Sequence, residues 1–293
     1  MSSLSPPAAR PPAAARYPRW RTLTWPGGAR VAVQLLLAFE AFEQHSQFTT
    51  EAGHGVNPFS LSYGEYGAHV GAWRLLKLLF DEGVTGASVA INGKAAQQHP
   101  EVVRAFAEQG HELVGHAWAN DVPMPGGEAE RAMVARTLDA IEAAGGVRPV
   151  GWVSPGKMGS PDSEEILLDA GMLYSGDDAS DDLPFVRTIG ERKLAIVPSV
   201  DLASNDLLHW VLRGQAPSTI VEGFKATFDA VYEEALDGRA GMVGLVLHCH
   251  GAGRPTLIPA VRELIRYCAR HEGVWFARSD EVARVALEQD ARR

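Results

Sequence analysis

Apolar residues divide this chain into short continuous runs that alternate with stretches of helical spacing. The longest run, VAVQLLLAF at residues 31–39, is typical of a strand covered on both faces. The same pattern predicts further strands at 86–91, 112–115, 150–153, 172–175, 194–197, 242–248 and 274–277. Residues 40–65 are polar and weakly periodic, and a connection of that length is usually functional.

Helices are predicted between these strands from apolar spacing and from their end signals. Val70, Trp73, Leu76 and Phe80 lie at helical spacing, and Pro100 suits the first turn of a helix to about Glu108. A further helix has Val134, Leu138 and Ile141 on its apolar face and ends at Gly145–Gly146, and the next is predicted to begin with Ser160 as N-cap and Pro161 as first residue. Three more helices are predicted: one over residues 218–234, one with Val261, Leu264, Ile265 and Cys268 on its apolar face, and one from about Asp280. Strands that alternate with helices predict an α/β fold built from parallel βα units.

Seven or eight such repeats without a break in composition favour a single closed or nearly closed barrel, and a doubly wound open sheet is the alternative. Residues 1–18 differ in kind, since they are rich in Pro, Ala and Ser and lack acidic residues. We expect a disordered tail there and a single domain over residues 19–293.

Composition narrows the classes of partner and compartment. The formal net charge is −9, which argues against nucleic acid or an anionic membrane as partner. Cys249 and Cys268 are the only two cysteines, so no disulfide framework is expected and a reducing, cytoplasmic location is the default. No apolar run approaches the roughly 20 residues of a membrane-spanning helix.

Ligand-capable side chains follow three of the predicted strands: Glu40, His116 and His248. In a βα barrel these strand ends meet at one mouth, where a carboxylate and imidazoles could supply a general base and a general acid for water attack on a carbonyl. Each residue alone could be structural. His116 and Asn120 have the spacing of a His-x-x-x-His metal pair whose second histidine is missing.

The sequence resembles the polysaccharide deacetylase (NodB-homology) superfamily, and within it the branch of the deacetylase-like allantoinases. Eight blocks in order carry the resemblance, from about Trp25 to Glu288: WPGGARVAV, YGAHVGAWRLLKLL, GHELVGHAW, GVRPVGWVSP, GMLYSGDDASDDLPF, VPSVDLASND, LHCHGAGRP and VWFARSDEVA. The resemblance implies a distorted barrel of about seven parallel strands. It also implies a hydrolase of non-peptide carbon–nitrogen bonds.

The resemblance further assigns roles. Glu40 takes the position of the family's base carboxylate, His248 that of its catalytic histidine, and His116 that of its first metal histidine. The metal carboxylate would fall at Ala41 or Phe42, which cannot bind a metal ion. The second metal histidine falls at Asn120. No metal cofactor is therefore expected, with zinc at His116 kept as the alternative.

The resulting hypothesis is that Glu40 activates water for attack on a small cyclic or linear amide, such as a ureide or imide, while His248 acts as acid. His116 and Asn120 would hydrogen-bond the substrate. Glu43, Trp118, Lys157 and His250 are further candidates for lining the pocket. The alternatives are a metal-dependent deacetylase of N-acetyl sugars and a non-catalytic member. The family resemblance also suggests a homo-oligomer.

Overall fold

The computed structural model describes residues 23–46, 56–198 and 204–292. The expected tail at residues 1–18 lies outside these ranges, as does part of the connection at 40–65. Within them the chain forms one sheet of nine strands: β1 (Val31–Phe39), β2 (Ser88–Ile91), β3 (Glu112–Gly115), β4 (Gly151–Trp152), β5 (Tyr174–Ser175), β6 (Phe185–Ile189), β7 (Arg192–Ile196), β8 (Gly241–His248) and β9 (Val274–Phe276).

Ten α-helices are present in the same ranges: α1 (Pro58–Tyr66), α2 (Ala72–Asp81), α3 (Gly93–Gln98), α4 (Pro100–Glu108), α5 (Gly127–Gly145), α6 (Ser163–Asp169), α7 (Pro217–Leu236), α8 (Cys249–Ala252), α9 (Ile258–Ala269) and α10 (Ser279–Asp290). A π-helical segment, Gly67–Gly71, joins α1 to α2 without a break, and a second one spans Leu207–Leu212.

The sheet runs in the order β6-β7-β5-β4-β3-β2-β1-β8, and β9 pairs with the first residues of β1. Every pairing is parallel except that of β6 with β7. The prediction of an α/β fold is confirmed: mostly parallel strands form a curled half-barrel sheet, as in a distorted βα barrel. All eight strands expected from the sequence are present, and β6 is an additional one.

The strand β1 is central because its two faces have different environments. All nine of its residues are buried. Leu35, Leu37 and Phe39 belong to the large core that packs the outer helices against the sheet. Successive residues of a strand point to opposite faces, so Leu36 and Ala38 point into the barrel, where they line a pocket.

Two helix predictions were wrong in detail. The helix around residue 76 exists, but its buried face is not the one expected: Val70, Trp73 and Phe80 are exposed, and Leu75, Leu78 and Leu79 are buried together with Leu76. Ser160 does not cap α6. That helix begins at Ser163 after Asp162, and Pro161 lies in the turn before it, where the Ser160 amide donates to Ser163 Oγ at 2.8 Å.

Candidate active site

The carboxyl ends of β1, β3 and β8 bring the three predicted residues together. Glu40 follows β1, and Ala38 pairs in register with His248, the last residue of β8. His116 follows β3, and its amide donates to Ile91 O at the end of β2. Glu40 Oε1 lies 3.5 Å from His116 Nε2 and 3.9 Å from His248 Nε2, and all three side chains are almost fully buried.

Asn92, which follows β2, ties these strand ends together. Its Oδ1 accepts a hydrogen bond from the Ala41 amide at 2.9 Å, and its side-chain amide donates to the His116 carbonyl. Asn92 is fully buried, so neither backbone group has water as an alternative partner. One side chain therefore fixes the backbone on either side of the mouth.

The His116 ring is held from both of its nitrogens. Nδ1 lies 2.5 Å from Val153 O and Nε2 lies 3.1 Å from Asn120 Oδ1. A carbonyl oxygen can only accept, so Nδ1 carries a proton and Nε2 points toward the mouth. The next residue, Ala117, has a φ of +54°, a left-handed conformation that costs free energy in an alanine. Such strain is commonly retained where it positions a functional group.

Asp206 positions His248. Its carboxylate lies 2.7 Å from His248 Nδ1 and also accepts the His248 amide, at 3.0 Å. Since a carboxylate accepts only, Nδ1 donates and Nε2 is directed at Glu40. In the sequence Asp206 is simply the last residue of the block VPSVDLASND, because nothing in the local pattern links it to a strand end 42 residues further on.

The charges of this array support one another. Burial would raise the pKa of Glu40, but the positive charge on His248, the hydrogen bond from His116 and the nearby His250 outweigh it and lower the pKa to about 2. Burial would lower the pKa of His248, whereas the negative charges of Asp206 and Glu40 raise it to about 9. At neutral pH Glu40 is therefore a carboxylate and His248 an imidazolium.

His250 lies behind Glu40. Its Nδ1 is 3.5 Å from Glu40 Oε2, and the side chain is 1% exposed. Burial lowers its pKa to about 4 despite the nearby Glu40 carboxylate, so the ring is neutral at pH 7. Among the described residues its Nε2 has no hydrogen-bond partner. His250 is thus a neighbour of the base, but it does not line the pocket.

A pocket of about 510 Å³ opens above these residues, within the range of small-molecule sites. Glu40, His116, Asn120 and His248 form its polar floor, and Lys157 is part of its rim. Most of the remaining wall is apolar: Leu36, Ala38, Ala90, Val153, Pro155, Met158, Leu207, Leu208 and Val246. Such a cavity suits a compact ligand with few polar groups.

Lys157 occupies a strained rim position, with a φ of +62°. Its Nζ donates to Gly176 O at 2.6 Å, and burial lowers the pKa of its ammonium to about 8, although Asp177 acts in the opposite direction. Glu43 and Trp118 do not line the pocket. Glu43 pairs with Lys94 at 3.0 Å, and the Trp118 ring stacks under the Arg136 guanidinium.

A zinc ion fits these mouth residues poorly. Zinc favours nitrogen, sulfur and carboxylate donors, and the residue four positions after His116 is an amide, Asn120. Among the described residues, the donor atoms of Glu40, His116 and His248 do not form a cluster in which all lie within 4.8 Å of one another. The carboxylate and imidazoles are arranged as an ion-paired array around Glu40 instead.

The loop after β8 is fixed from outside by contact between backbones. A Cβ added at Gly71, at the end of the π-helical segment, would lie 1.9 Å from Cys249 O, and one added at Gly253 would lie 2.4 Å from Gly71 Cα. Only glycine permits this approach. The outer helical layer therefore touches the segment that carries His248 and His250 without intervening side chains.

Residues 62–175 match the polysaccharide deacetylase family model. A putative polysaccharide deacetylase of Schizosaccharomyces pombe is 28% identical, over 89% of this chain and 92% of its own. The crystal structure of a probable polysaccharide deacetylase from Pseudomonas aeruginosa superposes with a TM-score of 0.84 at 29% identity, covering 96% of this chain and 99% of that one. Puue allantoinase gives a TM-score of 0.82 at 27% identity, covering 95% and 97%.

Residues 62–175 thus match the polysaccharide deacetylase family, and over most of its length the chain is similar to polysaccharide deacetylases and to an allantoinase. The resemblance predicted from the sequence is confirmed. Among the described residues, no helix is both long enough and apolar enough to cross a lipid bilayer.

Proposed function

We propose that this protein hydrolyses a carbon–nitrogen bond in a small cyclic or linear amide, of the ureide or imide type, without a metal ion. The observation that carries the proposal is the buried array Glu40–His248–Asp206, in which a carboxylate faces an imidazolium across the floor of a small, largely apolar pocket. The array pairs a deprotonated base with a protonated acid at neutral pH.

In the proposed reaction, Glu40 accepts a proton from water as the water oxygen bonds to the substrate carbonyl carbon. His248 Nε2 then gives its proton to the nitrogen as the carbon–nitrogen bond breaks. The products are a carboxylic acid and an amine from an amide, an amide from an imide, or a urea from a ureide. His116 and Asn120 bind the carbonyl side of the substrate. These are the roles of general base, general acid and hydrogen-bonding stabiliser.

A pKa of about 2 makes Glu40 a weak base in the resting protein. The charge of His248 is the largest of the effects that oppose burial there, and it disappears when His248 gives up its proton. The pKa of Glu40 then rises, so each proton transfer favours the other. The proposed base and acid therefore act as a pair.

The apolar wall favours a small substrate over a sugar chain, because a polysaccharide presents many hydroxyl groups that need partners. One observation supports a second candidate, a metal-dependent deacetylase of N-acetyl sugars. His116 donates its Nδ1 proton to a backbone carbonyl, which is how metal-binding histidines are commonly oriented. The cytoplasmic location and the homo-oligomer remain predictions.

The deciding experiment is a substrate panel on the full chain, with and without chelator. Allantoin, hydantoins, cyclic imides and N-acetylglucosamine oligomers would be assayed for ring opening, ammonia release or acetate release. Turnover of a ureide or imide that survives chelation supports the proposal. Acetate release that needs added zinc supports the second candidate and overturns the first. No turnover of any of them would favour a non-catalytic role.

A further inference from the structure

A second group of metal-type side chains lies outside the barrel. Glu65 near the end of α1 and His69 in the π-helical segment are four residues apart, on one side of a continuous helix. His99, between α3 and α4, faces them from a different part of the chain. Within the described residues, these three are the group whose donor atoms all lie within 4.8 Å of one another.

The distances between the donor atoms are close to those found between the ligands of one bound metal ion. Glu65 Oε2 lies 3.1 Å from His99 Nε2, and the rings of His69 and His99 are 5.7 Å apart between centroids. Zinc binds imidazole nitrogen and carboxylate oxygen at about 2.0–2.2 Å, so tetrahedral donors are about 3.4 Å apart. A small rotation of these side chains would therefore complete the three-donor set.

A second carboxylate supports His99. Glu101 Oε1 lies 3.7 Å from His99 Nδ1, the ring nitrogen that faces away from Glu65. A carboxylate in that position orients a metal-binding histidine and increases its basicity. Two imidazoles and one carboxylate, with further positions open to water, form a donor set that suits zinc and other late divalent transition metals.

This cluster is separate from the proposed active site. The His99 ring packs edge-on against Phe39, with ring centroids 6.4 Å apart. Phe39 belongs to the outer core, whereas its neighbour Glu40 is part of the pocket floor. The two sites therefore lie on opposite faces of β1, and the outer one is accessible, since the Glu65 side chain is 40% exposed.

We propose that Glu65, His69 and His99 bind one divalent transition-metal ion of the zinc type on the outside of the barrel. The ion would fasten the α1–π-helical segment to the corner between α3 and α4, two parts of the chain that already meet through the Glu65–His99 ion pair. A ligand that binds only the folded state increases stability with concentration, so bound zinc should raise the melting temperature.

The test is calorimetric titration of zinc into the metal-stripped full chain, together with its melting temperature. His69→Ala and Glu65→Gln remove one donor each at exposed positions, while the His99 ring is kept because it packs on Phe39. The matched control is His116→Ala, which removes the metal-type histidine of the barrel mouth. A fourth variant, Glu101→Gln, alters only the carboxylate behind His99.

We expect one zinc per chain in the wild type and in His116→Ala, with a higher melting temperature in both. Affinity should fall at least about tenfold in His69→Ala and Glu65→Gln, and about tenfold in Glu101→Gln. Unchanged affinity in His69→Ala and Glu65→Gln would overturn the proposal, as would a lack of zinc binding by the wild type. Loss of binding in His116→Ala alone would place the ion at the mouth and equally overturn it. Substrate turnover is not a readout, so failure here leaves the proposed hydrolase activity untouched.

Discussion

At the scale of single residues, the mouth of the barrel is organised by charge pairing in a buried setting. Glu40 interacts with three histidines, and of the two that flank Cys249 only His248 contacts the Asp206 carboxylate, which raises its pKa. His250 stays neutral one residue beyond Cys249. Two chemically identical rings thus differ in charge through the position of one carboxylate.

Replacing Glu40 by Gln should lower kcat/KM at least about a hundredfold, because a carboxamide cannot accept the proton of the water. The substitution preserves the size of the side chain. The measurement is steady-state kinetics on the substrate found by the panel, with circular dichroism to confirm folding. Glu112→Gln is the matched control, since Glu112 is an equally buried carboxylate at the start of β3, at the opposite end of the sheet. Equal kcat/KM in Glu40→Gln and the wild type would refute the assignment.

Replacing Asp206 by Asn should change the pH profile as well as the rate. Without the negative charge the pKa of His248 falls from about 9, so the alkaline limb of kcat should move to lower pH. We also expect kcat to fall about a hundredfold or more, because the amide no longer fixes the ring. If the alkaline limb stays near pH 9 in the variant, His248 is not the proton donor.

The residue-level site was only partly accessible from the sequence. Glu40, His116 and His248 could be predicted because each follows a strongly apolar strand. Asp206 could not, because its role depends on a loop crossing to the end of β8. Glu43 and Trp118 were predicted as further candidates for lining the pocket, and their side chains pair with Lys94 and Arg136 instead.

At the scale of elements, the ends of neighbouring strands are joined by side chains that replace missing backbone partners. Asn92 serves β1 and β3 in this way. Asn57 performs the simpler form of the same task at the start of α1, where its Oδ1 accepts the Ser60 amide at 3.0 Å. The backbone groups bound by Asn92 belong to His116 and to the neighbour of Glu40, whereas the one bound by Asn57 belongs to Ser60, outside the proposed site.

Asn92→Ala should therefore lower both stability and turnover. Leaving two buried backbone groups unpaired costs about 1–3 kcal/mol each, and Glu40 and His116 lose their common support. Asn57→Ala should cost only about 1 kcal/mol, as for other helix caps, with kcat unchanged. Urea unfolding and kinetics on both variants check this contrast. Equal effects of the two on kcat would show that Asn92 does not position the site.

The presence of a helix could be predicted from the sequence more securely than which of its faces is buried. The α2 region has apolar residues on both sides of Arg74 and Lys77, so more than one set of positions satisfied helical spacing, and packing against the sheet selected the face with Leu75 and Leu79. The strand β6 was missed because Phe185–Ile189 is only half-buried and pairs antiparallel at the sheet edge. The spacing of apolar residues within a segment does not reveal such an antiparallel partner.

At the scale of the whole molecule, ionisable groups at both ends of the sheet make stability depend on pH. At the end opposite the mouth, Glu112 Oε2 accepts from Ser88 Oγ at 2.6 Å and from the Asp280 amide at 3.1 Å, and its Oε1 accepts from the Tyr174 hydroxyl at 2.9 Å. Burial, together with the negative charge of Asp280, raises the pKa of Glu112 to about 7. This carboxyl is therefore partly protonated near neutrality.

A pKa raised on folding means that the protonated Glu112 stabilises the native state. That contribution is complete below the ordinary value of about 4.5 and is lost as the pH rises to about 7. Glu112→Gln should remove this loss, which is on the order of 3 kcal/mol. Urea unfolding between pH 4 and 8 measures it. A variant whose pH dependence matches the wild type would contradict the prediction.

Below neutrality, a buried histidine makes stability change with pH in the opposite direction. Burial lowers the pKa of His111 to about 4, so its contribution is lost as the pH falls from about 6.5. His248 has a raised pKa, and its contribution is lost as the pH rises from about 6.5 to 9. The alternation of strands and helices predicted the architecture. The pKa values of Glu112, His111 and His248 could not be predicted in the same way, because they depend on which side chains neighbouring strands and helices bring close.

The contact between Gly71 and the loop after β8 has a mechanical consequence. Side chains can absorb a small displacement by changing rotamers, whereas two backbones in direct contact have no such freedom. A movement of the π-helical segment must therefore shift Cys249 and Gly253 with it. His248 directly precedes Cys249 in the chain, and His250 directly follows it. The outer helical layer and the proton donor are therefore expected to move together, because at Gly71 and Gly253 the two backbones are in direct contact.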